Sequence, residues 1–160
     1  MFDAARTFSI VLPEGWTHDL EFGRSLIGDQ IGLPNLVKFF GGRQIATGFD
    51  PNILIISLPV PSGSDIEAVA DEVISGFSEG ASTATSDSNI ERFSVSFLGL
   101  DAVKFVYSDV SDPNFPDGFE STGIIIVRNN VMWELQCSGG LELRDELDRC
   151  IEALESFRFE

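Results

Sequence analysis

Apolar and polar positions are most legible over residues 120–160, where ESTGIIIVRNNVMWELQCSGG reads as two strands and LELRDELDRCIEALESFRFE as a helix returning over them. Asn129 and Asn130 separate the apolar runs of those strands, and asparagine tolerates the positive φ that a two-residue hairpin loop needs. Such a loop pairs Arg128 with Val131, Ile126 with Trp133 and Ile124 with Leu135. Side chains alternate across a strand, so Ile124, Ile126, Val131, Trp133, Leu135 and Cys137 share one core face. Ile125, Val127 and Met132 lie on the other, which turns polar at Glu134 and Gln136. Ser138-Gly139-Gly140 breaks the strand. Leu143, Leu147, Cys150, Ile151, Leu154 and Phe157 then recur at helical spacing as one apolar stripe, which the short link packs on the Trp133 face.

Earlier in the chain, Thr7–Leu12 alternates as a short strand stopped by Pro13-Glu14-Gly15, with Trp16 plugging one end of the sheet. Residues 17–50 are punctuated by glycines, and within them only Leu36–Phe40 reads as a strand. Ile53–Val60 is nearly continuous apolar sequence, which places it centrally with both faces covered. Ser64-Asp65-Ile66-Glu67 has the spacing of a capping box. The stripe Ile66, Val69, Ala70, Val73, Ile74 and Phe77 follows it as a helix ending by Gly80. The Ser/Thr-rich stretch 81–89 reads as an exposed connection. Ile90–Leu98 alternates, Gly99 turns, and Val103, Phe105 and Tyr107 alternate back as a second antiparallel pair. Hairpin-linked strands with two amphipathic helices predict an α+β fold built on an antiparallel sheet.

Composition narrows the function. A chain of 160 residues, 43% hydrophobic with 14 Phe, reads as a single domain over residues 1–160 and buries about two-thirds of its unfolded surface. A formal charge of −16 repels phosphate backbones and anionic membrane surfaces, so nucleic acid is excluded as a partner. No stretch approaches the ~20 apolar residues of a membrane span. The start, MFDAARTFSIVLPEGW, has no charged-then-apolar signal region and no lipid-attachment cysteine; as written the chain reads as cytoplasmic, and as secreted or envelope-anchored if a leader was removed.

The candidate chemistry is sparse. His18 is the only histidine and reads as a surface residue in a loop. No serine sits in a Gly-x-Ser-x-Gly elbow. Cys137 and Cys150 fall on apolar faces. At ~1.5 Å rise per helical and ~3.3 Å per strand residue, Cys150 is placed nearer Trp133 than Cys137, so two free buried thiols are expected. Asp109, Asp112 and Asp117 share one stretch but lack the glycine and bidentate glutamate of a calcium-binding loop. No catalytic residue, metal or cofactor is therefore assigned. Trp16, Phe39, Phe40, Phe115 and Phe119 lie where loops are expected; they are the candidate contacts for a partner or ligand, with plugging of the sheet ends as the other reading. An alternative function is a small apolar ligand or lipid carrier, its pocket lined by Phe93, Phe97, Phe105 and Trp133.

The segments FSIVLPEGW, GFDPNILIISLP, FLGLDAVKFVY, STGIIIVRNNVMWELQCSGG and LELRDELDRCIEALESFRF together resemble the PsbP-like superfamily, in particular its actinobacterial LpqN-type and other small bacterial branches. Together these segments span most of the chain, and residues 17–45 match poorly. The resemblance implies an α/β/α sandwich with an antiparallel sheet. It also implies a non-catalytic protein-binding or adaptor role, since members include photosystem II extrinsic subunits, a Ran-binding factor, bacterial lipoproteins and chaperones for secreted effectors. It carries over no catalytic residue and leaves the oligomeric state open.

Overall fold

In the computed structural model, residues 7–28, 32–80, 88–110 and 114–160 are described. Seven strands form one antiparallel sheet in the order β2-β3-β4-β8-β7-β6-β5. These are β2 (Thr17–His18), β3 (Val37–Ile45), β4 (Gly48–Pro59), β5 (Ser88–Phe97), β6 (Leu100–Asp109), β7 (Phe119–Arg128) and β8 (Val131–Gly140). A separate two-stranded ribbon pairs β1 (Phe8–Ser9) with β9 (Arg158–Phe159). Helix α2 (Ile66–Gly80) packs on β6 and β7, and helix α3 (Arg144–Glu155) lies across β8 and β4. A short helix, α1 (Leu20–Gly23), continues into a π turn, Arg24–Gly28, beside β3.

The closing hairpin has the register its asparagines dictate. Asn129 and Asn130 sit at φ 53° and 60°, the left-handed pair of a type I′ turn whose twist matches that of the strands. Arg128 faces Val131, Ile126 faces Trp133 and Ile124 faces Leu135. On that side Ile53, Ile55, Leu135 and Ile126 meet Leu147, Leu154 and Phe157, with Phe8 and Ile10 of the first strand region completing the cluster. Trp133 packs edge-on to Phe8 and Phe159, at ring separations of 5.8 and 5.4 Å. The opposite side holds a smaller cluster, in which Val69 and Ala70 of α2 cover Val103, Phe105, Ile125 and Met132. Strand alternation thus feeds two cores from one sheet, as an α/β/α sandwich requires.

Several expectations change. The alternation over Thr7–Leu12 yields only the two paired residues of β1, because the single strand facing it, β9, is equally short. Leu36–Phe40 lengthens into β3, which runs to Ile45 through Gly41 and Gly42. There is no room for side chains at these glycines: a Cβ on either would collide with the backbone of β2 or β4. The capping box does not form. Ser64 Oγ donates instead to the carbonyl of Pro61, and the Glu67 carboxylate is drawn across to Arg92 and Ser94 of β5.

The cysteines give the largest correction. Cys137 and Cys150 are joined in a disulfide, with Cα atoms 5.9 Å apart. Strand β8 does not break at Ser138 but continues to Gly140, and a 3-10 turn, Leu141–Leu143, intervenes before α3 begins at Arg144. Cys137 therefore lies ~10 Å before the strand end and Cys150 ~9 Å back along the helix. The two sulfurs arrive level.

Candidate functional site

On the α2 side the centre of the sheet is polar and closed. Ser121 of β7 and Ser138 of β8 stand opposite one another with their hydroxyls 2.8 Å apart. Gln136 Nε2 donates to both, at 2.5 and 3.1 Å. All three are buried, and their mutual bonding commits the hydroxyls to the amide. Glu134, two residues along on the same face, is also buried. It stands between Ile56 on β4 and Ile125 on β7, and its side-chain carboxyl forms no hydrogen bond or ion pair with the described residues. Burial among these apolar neighbours pushes its carboxyl up to about 7; water no longer stabilises the charged form. Asp50 is raised too, chiefly by burial, although it accepts a 3.3 Å bond from the Gly140 N–H.

The residues picked from sequence do not assemble into one site. Trp16, Phe39 and Phe40 are buried. Trp16 donates its indole N–H to Glu146 of α3 at 3.2 Å, and Phe40 packs against Phe22 and Phe49. These three plug the sheet, and their rings are closed to a partner as folded. Phe115 and Phe119 are half-buried and pack together, 5.0 Å apart, beside Tyr107. The pocket drawn from Phe93, Phe97, Phe105 and Trp133 does not form. Phe105 belongs to the α2-side core, whereas Phe97 and Trp133 border the α3-side core, because an even and an odd register of alternating strands face opposite ways.

His18 is exposed at the sheet edge in β2 and stacks on Phe39, with rings 6.0 Å apart. Asp109 is buried and accepts from the Tyr107 hydroxyl, while Asp117 is exposed in a turn. Asp112 lies outside the described residues. Among the described residues, no three His, Cys, Asp or Glu side chains gather as a metal site.

The α3 side offers a different surface. Helix α3 covers β8 and β4, while the far wing of the sheet, β5 and β6, is left partly open. Phe93 is 46% exposed. It faces Lys104 across the β5–β6 ladder, and Lys104 faces Ile124 of β7. At the hairpin end, Leu98 and Leu100 border Arg128, Arg158 and Phe159. The sequence reading passed over these five. Two signals were available: a leucine where a two-residue turn wants Asn or Gly, and arginines in a chain with only 10 cations.

No family model and no curated protein sequence matches the chain. Solved structures do. Cyanobacterial PsbP from Synechocystis sp. superposes with a TM-score of 0.64 at 12% identity, over 100% of this chain and 91% of that one. The fold is PsbP-like. Two further matches come from a yeast and a bacterium. The Ran-binding protein Mog1p of Saccharomyces cerevisiae aligns at a TM-score of 0.59 and 11% identity, over 99% of this chain and 93% of its own. LpqN of Mycobacterium tuberculosis, involved in cell envelope biogenesis, aligns at 0.55 and 11%, over 95% and 82%. At such identities what is shared is the PsbP-like sandwich, and side chains are not transferable.

Proposed function

We propose that this PsbP-like domain is a non-catalytic protein-binding module. The reading rests on one observation: Ser121, Ser138 and Gln136 are buried and bonded to one another and Glu134 is buried apart from them, while the open wing of the sheet exposes Phe93 and Leu98. Catalysis needs a nucleophile or base within reach of a substrate, and Ser121 and Ser138 are sealed away from one. A partly apolar, accessible sheet face suits a protein partner. That a structural neighbour is a Ran-binding protein agrees with this reading.

The Cys137–Cys150 disulfide favours a secreted or envelope-associated setting over the cytoplasm, because reducing compartments keep thiols unpaired. Cross-linking of the protein in its native host, followed by titration of the purified partner, tests the reading. Saturable binding of one defined protein is expected. Failure of any cross-linked protein to bind in purified form refutes it. Solvent extraction and mass spectrometry of the same preparation address the carrier alternative: a stoichiometric apolar ligand would replace our reading.

A further inference from the structure

The chain carries 26 acidic and 10 basic side chains. Arg24, Arg92, Arg144 and Arg149 all form ion pairs. Arg128 and Arg158 form none among the described residues, and neither do Lys38, Arg43 and Lys104. Arg128 instead lays its guanidinium 4.2 Å above the ring of Phe159, and Arg158 donates only to the carbonyls of Glu155 and Phe157. With Leu98 and Leu100 they line an open trough of about 360 Å³ that has no acidic residue in its wall. An adjoining hollow of about 270 Å³ shares Arg128 and Phe159 and has Trp133 in its wall, with Glu160 as its one carboxylate.

Leu98 is the second unusual feature. It holds φ at 55°, followed by Gly99 at 75°, a turn geometry suited to Asn-Gly and disfavoured for a leucine. It is also 37% exposed. The fold thus keeps a bulky apolar side chain at a hairpin tip where a polar one would fit the backbone better. Strained residues of this kind gather at sites of function.

Resting on the protein-binding reading above, we infer that this trough is where the domain grips an acidic, apolar segment of its partner. A guanidinium stacked on an aromatic ring keeps its in-plane N–H donors available to a carboxylate. Leu98, Leu100 and Phe159 supply the apolar contact between the two charges. On the α3-facing side of β5 and β6, Phe93 and Lys104 lie further along the wing, with exposed Glu91 beyond them. An anionic membrane presents the same chemistry, but its extended plane would meet the repulsion of the whole −16 chain. A short peptide feels chiefly what lies within a Debye length, about 8 Å at physiological salt.

The test is fluorescence anisotropy with a labelled peptide of about a dozen residues in which Glu alternates with Leu and Phe, as an extended segment would present them. A matched peptide with Lys in place of Glu is the control, and phosphatidylglycerol vesicles form a separate arm. The wild-type protein should prefer the Glu peptide by about tenfold or more, and R128A/R158A should lose about tenfold. L98N should weaken binding while raising the urea midpoint, so that lost affinity is not lost folding. Equal binding of both peptides, no binding of the Glu peptide, or vesicle binding in its place overturns the inference. If a purified natural partner binds R128A/R158A as tightly as wild type, the trough is wrong and the protein-binding reading stands.

Discussion

Replacing Glu134 by Gln should stabilise the protein at neutral pH and have progressively less effect towards acid. In the unfolded chain this carboxyl titrates near 4.5, and in the folded protein near 7. Below 4.5 both states carry the proton and the burial of the charge costs nothing. Between 4.5 and 7 the folded protein holds a proton that the unfolded chain has released, so stability falls as pH rises. Above 7 the carboxylate is ionised in both states, and the loss levels off. Each pH unit in that window is worth about 1.4 kcal/mol, so the full loss is about 3 kcal/mol. Glutamine has nearly the same shape and never ionises. The stability difference between variant and wild type should therefore grow by about 2.5 kcal/mol between pH 5 and pH 8.5. Urea unfolding followed by tryptophan fluorescence across that range measures it, staying above the isoelectric point of ≈ 4.2, where solubility is lowest. Because Asp50 titrates in both proteins, subtraction isolates Glu134. A constant gap at all pH values would show that Glu134 is hydrated or paired in solution.

Three further outcomes follow from packing and cross-linking. Replacing both cysteines with alanine should cost about 3 kcal/mol, since the bridge closes a loop of 13 residues; two free thiols per chain in the purified, unreduced protein would contradict the bridge outright. Gly123→Ala should destabilise by about 1–3 kcal/mol, because the new methyl would overlap the ring of buried Phe105, and an unchanged melting temperature would mean that the ring is not packed there. Arg92→Ala should cost less than about 1 kcal/mol in low salt and less still in high salt, its pairs with Glu67 and Asp71 being largely exposed; a loss above about 2 kcal/mol would show those pairs to be buried in solution.

Strand pairing was legible where a turn residue fixed the register. Asn129-Asn130 set a register that the structure repeats residue for residue, and Gly99 marked the turn between β5 and β6 without fixing which faces their phenylalanines share. Residues 17–50 were not, because the glycines that look like loop punctuation at Gly41 and Gly42 are there to let β2 and β4 approach. The cysteine bridge was missed through a boundary error: ending β8 a few residues early displaced the whole returning helix along it. The capping box failed for a different reason. Glu67 had a nearer claim from Arg92, on a strand 25 residues away, and no local pattern reveals a competitor at that separation. The trough was hidden for the same cause, since Leu98, Arg128 and Phe159 come together only through the sheet and the ribbon laid over it. The burial of Glu134 was not legible either: the residue reads as the start of a polar stretch with Gln136, and only the cover of the sheet by its neighbours closes it off.

The pairing of Phe8 with Phe159 and the bond from the Glu160 amide to Thr7 have a practical corollary. Any polypeptide spliced on after Glu160 leaves the domain within a few residues of the Arg128 guanidinium, which rests on the Phe159 ring. A fusion tag or immobilisation handle at that end would crowd the very corner it was meant to present. Labels belong on the opposite margin of the sheet, near β2, where His18 is exposed.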